Sequence, residues 1–279
     1  MIGKIIGLSV ALGAAVVCAD VEYKDNKRMT YTVGANAKLI VDNVWGGIRV
    51  AAHSGREIRV AVREHWIADT QEELAEARRE VKLDATQDGD TVKLYVDGPF
   101  RCNCNDGGVN FRRHPQYQVR YEFEIAVPVD TALKLRTVNR GNIAAQGTRG
   151  DLDVSNVNGG IDLTDVAGSG AVRTVNGPVH VAFTENPRSP VVFKTVNGEV
   201  TVEFQPNVSA DLRFKTMHGQ VYTDYDVTPL PAEPVKLDRS LGKSVYRMNQ
   251  FTGVRIGSGG PEHRFETLNG SIRILKRGR

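Results

Sequence analysis

The chain has 279 residues, 41% of them hydrophobic and 25% charged, with a formal net charge of +3. Those values are ordinary for a globular protein of one or two domains. So small a net charge excludes the clear basic excess expected of a nucleic-acid-binding protein.

Residues 1–19 read as a secretory signal peptide: Lys4 supplies the positive start, Ile5 to Val17 is uncharged and apolar, and Val17-Cys18-Ala19 ends in a small residue before Asp20. The apolar run is too short to span a bilayer comfortably, so no transmembrane segment is expected in the mature chain. A lipoprotein signal would need a small residue before Cys18, where Val17 stands. The expected location is the periplasm, the cell surface or the exterior.

Residues 20–37 read as a lead-in. The next stretch, Leu39, Val41, Asn43, Val44, Trp45, Gly46, Ile48 and Val50, sets a pattern that returns later. An insertion over residues 51–116 follows. In it Glu57 to Val62 alternates as a strand, and Thr70 with Glu73 three residues on forms a capping box for a helix through about Glu80. Val81 to Thr86 and Thr91 to Val96 read as a hairpin around Gln87-Asp88-Gly89-Asp90. A polar loop from Gly98 to Pro115 carries Cys102 and Cys104. In an oxidising compartment this pair either closes a small, strained disulfide or remains as reactive thiols. Tyr117 to Val127 reads as a strand ending at Pro128.

Then the pattern of residues 39–50 recurs. Val154, Asn156, Val157, Asn158, Gly159, Ile161 and Leu163, preceded by Leu152, match, place for place, Val172, Thr174, Val175, Asn176, Gly177, Val179 and Val181. They also match Val191, Phe193, Thr195, Val196, Asn197, Gly198, Val200 and Val202. A further copy centres on Thr216-Met217-His218-Gly219, and a last one on Thr267-Leu268-Asn269-Gly270. Leu133 to Gly141 fits with Arg140 inserted. The central glycines 141, 159, 177, 198 and 219 are 18, 18, 21 and 21 residues apart. Such a period marks a repeat architecture, and alternation on both sides of each Gly says strand, turn, strand. One such unit cannot bury its apolar face, whereas stacked units pair strand on strand at about 4.8 Å. The expected fold is therefore all-β: a single β-solenoid of rungs over residues 38–279, with one short helix in its N-terminal insertion. Glycine is expected at each corner for its tolerance of positive φ. Residues 224–262, rich in Pro and Gly, read as irregular.

The ordered set resembles the bacterial "putative adhesin" domain family of unknown function, also called the toastrack domain. The residues that carry the resemblance are Tyr121 to Pro128, the rungs at Asn139-Arg140-Gly141, Val157-Asn158-Gly159, Val175-Asn176-Gly177 and Val196-Asn197-Gly198, and the ending Ile256 to Gly260 with Thr267 to Ile272. The resemblance covers about Lys38 to Lys276 and implies an exported β-solenoid of the cell envelope, with no established chemistry. The Cys-x-Cys loop, Arg140 and the stretch 224–262 depart from the pattern.

Signals for chemistry are weak. The six histidines lack zinc-site spacing, and no nucleophile elbow or P-loop is present. No cofactor or metal is expected, and Asn103, Asn105, Asp106 and Asn110 lack the acidic repeat of a calcium loop. Asp151, Asp153, Asp162 and Asp165 cluster in one rung, where a solenoid glycosidase or lyase could draw its acid pair, but they are read first as solvated outward positions. One column stands out: Arg136, Ser155, Arg173, Lys194 and Lys215 share a place in successive copies. Like charges about 4.8 Å apart in water repel by only about 0.9 kcal/mol, so a solvated basic ladder is tolerable. It resists edge pairing, and it could also dock an anionic envelope polymer or lipid head groups. The leading expectation is a non-enzymatic, adhesin-like envelope or surface module that binds through an extended face. The alternatives are an envelope-sensing or scaffolding component that meets other envelope proteins through an end rung, and a polysaccharide-acting enzyme.

Overall fold

A computed structural model describes residues 20–101, 117–231, 236–240, 243–247 and 251–278. The leader 1–19 and the pair Cys102 and Cys104 lie outside the described residues.

The recurring Gly corner joins two strands that do not pair with each other. It carries the chain from one sheet to another. The first legs, Lys38–Asp42, Ala132–Arg136, Leu152–Ser155, Gly170–Arg173, Val191–Lys194, Ala210–Lys215 and Glu262–Glu266, all lie in one sheet of eleven strands. The second legs, Ile48–His53, Ile143–Gln146, Ile161–Val166, Val179–Phe183, Val200–Phe204, Val221–Thr223 and Ile272–Lys276, all lie in a sheet of ten. Among the described residues the fold is all-β in these two large mixed sheets, with one helix and no closed barrel. Within each sheet equivalent legs pair in parallel and in register, so Leu135, Val154, Val172, Phe193, Phe265 and Phe214 form one continuous apolar column. Ala145, Leu163, Val181, Val202 and Ile274 form its partner in the other sheet. The rings of Phe183 and Phe204 stack at 5.4 Å, and those of Phe193 and Phe265 at 5.0 Å.

The order of the stack differs from the order of the sequence. The last copy, around Gly270, lies between the copies around Gly198 and Gly219: Phe265 pairs with both Phe193 and Phe214, and Ile272 with both Val200 and Val221. The described residues between 224 and 262 form strands where the sequence reads as irregular. Thr252–Ile256 runs antiparallel to Ala210–Lys215, Val227–Leu230 pairs on its far side, and Lys236–Ser240 with Lys243–Arg247 forms a separate hairpin.

The corner chemistry also differs from the expectation. Among the seven central glycines only Gly46 (φ 111°) and Gly177 (φ 156°) have positive φ. The general need is close approach. A Cβ on Gly141, Gly159, Gly177, Gly198, Gly270 or Gly219 would run into the carbonyl of the glycine in the neighbouring copy. That same carbonyl is bonded from inside the stack. Thr174 donates to Gly159 O at 2.8 Å, Thr195 to Gly177 O, Thr267 to Gly198 O and Thr216 to Gly270 O, each at 3.0 Å. Outside, the Asn side chains form a ladder in which Asn158 donates to Asn139 at 2.6 Å, then Asn176 to Asn158, Asn197 to Asn176 and Asn269 to Asn197, each at 2.7 Å. His218 ends it with Nδ1 3.0 Å from Asn269 Oδ1. At the inserted Arg140 the backbone takes a left-handed φ of 58°, and the guanidinium bonds Gln118.

The insertion completes both sheets at one end. The lead-in is a full strand, Val21–Thr32, antiparallel to Glu57–Ala68, which is antiparallel to Tyr117–Pro128. Tyr117–Pro128 then runs parallel to Ile48–His53 and so joins the stack. On the other sheet the hairpin Lys82–Asp88 and Thr91–Asp97 pairs onto Lys38–Asp42. The helix Gln71–Glu80 has the expected capping box, with Glu73 N–H donating to Thr70 Oγ1 at 3.2 Å, and it buries Leu74 and Ala77.

Candidate functional site

The outer face of the eleven-stranded sheet carries the expected basic column. Strand pairing places Arg136, Ser155, Arg173 and Lys194 on adjacent strands in one row. Lys215 does not follow. Because the last copy is inserted, Glu266 stands between Lys194 and Lys215, and Lys194 Nζ lies 3.1 Å from Glu266 Oε2. Asp153 lies 3.8 Å from Arg173 and 3.4 Å from Lys134. Lys215 Nζ sits over the Phe251 ring at 5.8 Å. The row is thus a basic run from Arg136 to Lys194 that Glu266 interrupts before Lys215, and exposed pairs of this sort contribute at most about 1 kcal/mol each.

The aspartates suggested as an acid pair do not converge. Asp153 faces the basic row of one sheet. Asp162 lies on the other sheet, where its Oδ1 is 2.8 Å from His180 Nδ1, and His180 Nε2 is 3.2 Å from Glu203. Burial pulls the His180 imidazole down, but its hydrogen bonds to the two carboxylates outweigh that and hold it above the ordinary histidine value. Asp165, with a left-handed φ of 56°, is bonded by Arg277 and Gln146, and the Arg277 bond holds its carboxyl below the ordinary range. Among the described residues no group of three or more His, Cys, Asp or Glu could hold a metal ion, and no helix is long and apolar enough to cross a membrane.

A second surface has no counterpart in the sequence reading. On the outer face of the ten-stranded sheet a trough of about 710 Å³ crosses six strands, from Val21–Thr32 to Ile161–Val166. Pairing lays out two rows along it. One runs Arg28, Ala61, Glu124, Arg49, Ala144, Asp162, and the other Thr30, Arg59, Ala126, Ala51, Gln146, Thr164. The floor is therefore alanine at Ala51, Ala61, Ala126 and Ala144, a residue that strands generally disfavour and that leaves the backbone approachable. Glu124 is engaged by Arg63 at 2.8 Å and approached by Arg49 at 3.9 Å. Arg28 and Arg59 are exposed and make no hydrogen bond or ion pair among the described residues. Four alternations of small and charged residues on strands that are remote in sequence give no local signal, so only the folded sheet reveals this feature.

One end of the stack also exposes apolar groups: Met217 is 70% exposed, and Val221, Tyr222 and Val227 are exposed beside it in the sequence of the outermost legs.

No family model matches the chain, and no curated protein matches it in sequence. Among solved structures it is similar to a putative cell adhesion protein of Clostridium sporogenes ATCC 15579, with 13% identity and a TM-score of 0.42 over 91% of this chain and 100% of that one. It is also similar to a putative adhesin of Bacteroides fragilis NCTC 9343, with 10% identity and a TM-score of 0.31 over 90% and 97% of the two chains. A third is a putative lipid binding protein of Parabacteroides distasonis ATCC 8503, with 10% identity and a TM-score of 0.29 over 90% and 96%.

Proposed function

We propose that this chain is an exported, non-enzymatic, adhesin-like module of the cell envelope or surface, a short β-solenoid that binds through an extended outward sheet face. The observation that carries the reading is the in-register placement of Arg136, Ser155, Arg173 and Lys194 on a frame fixed by the Thr and Asn ladders. A row carried on rigid strands needs no ordering of its backbone to meet a partner, so only the side chains pay that cost. The dispersal of Asp153, Asp162 and Asp165 onto different partners supports binding over catalysis. The chemistry expected of the partner is an anionic envelope polymer or a lipid head group. The test is an array of envelope glycans and anionic lipid vesicles, probed with residues 20–279 at low and high salt. Binding should fall with salt and weaken in the triple variant Arg173→Gln, Lys194→Gln, Lys215→Gln. Retention of no polymer or vesicle at low salt would sink the proposal.

A scaffolding role through protein contacts is the second reading, favoured by the exposed Met217, Val221 and Tyr222 at one end of the stack. It predicts concentration-dependent sedimentation, or a defined complex with another envelope protein, that Met217→Glu abolishes.

A further inference from the structure

The alanine-floored trough lies on the sheet opposite the basic row, and its proposed use rests on the reading of the chain as an adhesin-like binding module. We propose that it is a docking groove for a linear glycan that carries carboxylates, with Arg28 and Arg59 holding the acid groups and Ala51, Ala61, Ala126 and Ala144 receiving the sugar backbone.

Charge decides the sign of the ligand. Three guanidiniums, from Arg28, Arg49 and Arg59, line the groove, against the carboxylates of Glu124 and Asp162. Both carboxylates already have cationic or hydrogen-bonding partners beyond the lining, Arg63 for Glu124 and His180 for Asp162. The excess is positive, and it is held by the two guanidiniums without a partner among the described residues.

Geometry narrows the class. The pattern at Glu124, where two guanidiniums meet one planar carboxylate, is reproduced if a ligand carboxylate enters between Arg28 and Arg59. Those residues stand on adjacent strands two positions out of register, because Arg28 pairs with Ala61 and Thr30 with Arg59. Such diagonal neighbours are about 7–8 Å apart at Cα, within reach of two long side chains converging on one acid group. Arg49 lies three strands further along the same row, about 14 Å away at about 4.8 Å per strand, so an extended polymer held at Arg28 and Arg59 meets a further cation partway along the floor.

Other occupants fit less well. The strands that form the floor are interior, with both edges paired, so an acidic peptide could not join by adding a strand. Among the described residues no aromatic side chain lines the groove, and single-stranded nucleic acid depends on such stacking. An open floor of methyl groups gives no enclosed volume for an acyl chain. A glycan needs none of these, since its ring faces pack on small residues and its acid groups supply the specific bonds. A volume of about 710 Å³ lies within the usual range of roughly 300–1,000 Å³ for ligand sites.

The experiment is isothermal titration of residues 20–279 with polygalacturonate oligomers, with neutral dextran and dextran sulfate as the other arms. Polygalacturonate should bind and dextran should not. Arg28→Gln with Arg59→Gln should weaken binding at least tenfold, and Arg28→Lys with Arg59→Lys should recover only part of it. Ala126→Leu, which fills the floor without changing charge, should also weaken binding, while the variant Arg173→Gln, Lys194→Gln on the opposite sheet should leave it within twofold. Thermal midpoints of all variants confirm folding. The inference is overturned if polygalacturonate is not bound while dextran sulfate is, or if binding survives both the Gln pair and Ala126→Leu. Binding of other envelope polymers or vesicles in the face of that result would leave the adhesin-like reading standing, whereas failure of every probe would remove both.

Discussion

The parallel stack and the antiparallel end built by residues 21–128 share two sheets but are held together in different ways. In the stack three devices recur from corner to corner: a glycine against the neighbouring glycine's carbonyl, a Thr or Asn side chain on that carbonyl, and an Asn outside, with Trp45 and His218 in the Asn place at the copies around Gly46 and Gly219. In the antiparallel end each contact occurs once. Glu64, only 3% exposed, pairs with Lys27 at 2.7 Å, Arg101 reaches Asp42 at 2.9 Å, and Arg78 lies over the Tyr23 ring at 4.0 Å. Repetition makes the stack intolerant of change at equivalent places, because each corner touches the next. The other end has no such columns, so a substitution there stays local.

The sharpest way to break that contrast is to place the same substitution in both regions. Gly198→Ala should cost about 4 kcal/mol or prevent folding, because the new Cβ meets the Gly177 backbone, which cannot move without shifting its own neighbour. Gly89→Ala, at a hairpin with φ 53° and open space around it, should cost only about 1 kcal/mol. Urea unfolding of both variants measures the difference, and equal costs would refute a corner set by close approach.

The next effect is one of pH. His263 is fully buried in the stack, stacks on Phe204 at 5.5 Å, and accepts the Val191 N–H at Nδ1. Burial lowers its pKa from 6.5 to about 4. The unfolded chain therefore takes up this proton at higher pH than the folded one. The stabilisation is complete above about 6.5 and is lost as pH falls towards 4, by about 3 kcal/mol in all. Denaturation midpoints between pH 7 and 4 should show this loss, and His263→Met should flatten that part of the profile. His180 has the opposite sign. Its raised pKa gives stability at low pH that is lost as pH rises through the folded value, and its exposure keeps the effect small.

Smaller effects separate the buried from the exposed corner bonds. Thr195→Val should cost about 1 kcal/mol, since the half-buried Gly177 carbonyl loses a donor. Thr70→Ala, which removes the helix cap in the antiparallel end, should cost about 1 kcal/mol. Asn197→Ala should cost about 0.5 kcal/mol, because water can replace the exposed ladder bonds on either side. If Asn197→Ala exceeds Thr195→Val, the outer ladder rather than the inner one holds the corner.

Much of this was legible in the residues. Period-two alternation about a fixed Gly located both legs of every copy, and Thr70 with Glu73 located the helix, because these signals act within a few residues. The basic row was legible only up to Lys194. Beyond it the partner of a strand depends on which copy is inserted there, and Glu266, 72 residues after Lys194, takes the place that spacing assigned to Lys215.

The sequence by itself determined the repeat, the inward apolar columns and the identity of the corner residues, since each follows from local backbone geometry and alternation. Only the tertiary structure decided the order of the stack, the role of glycine as a point of contact between copies, and the trough between Arg28 and Asp162. Those depend on which strands lie side by side, and strand order is set by the closing of long connections and the burial of whole faces, not by any pattern within one copy.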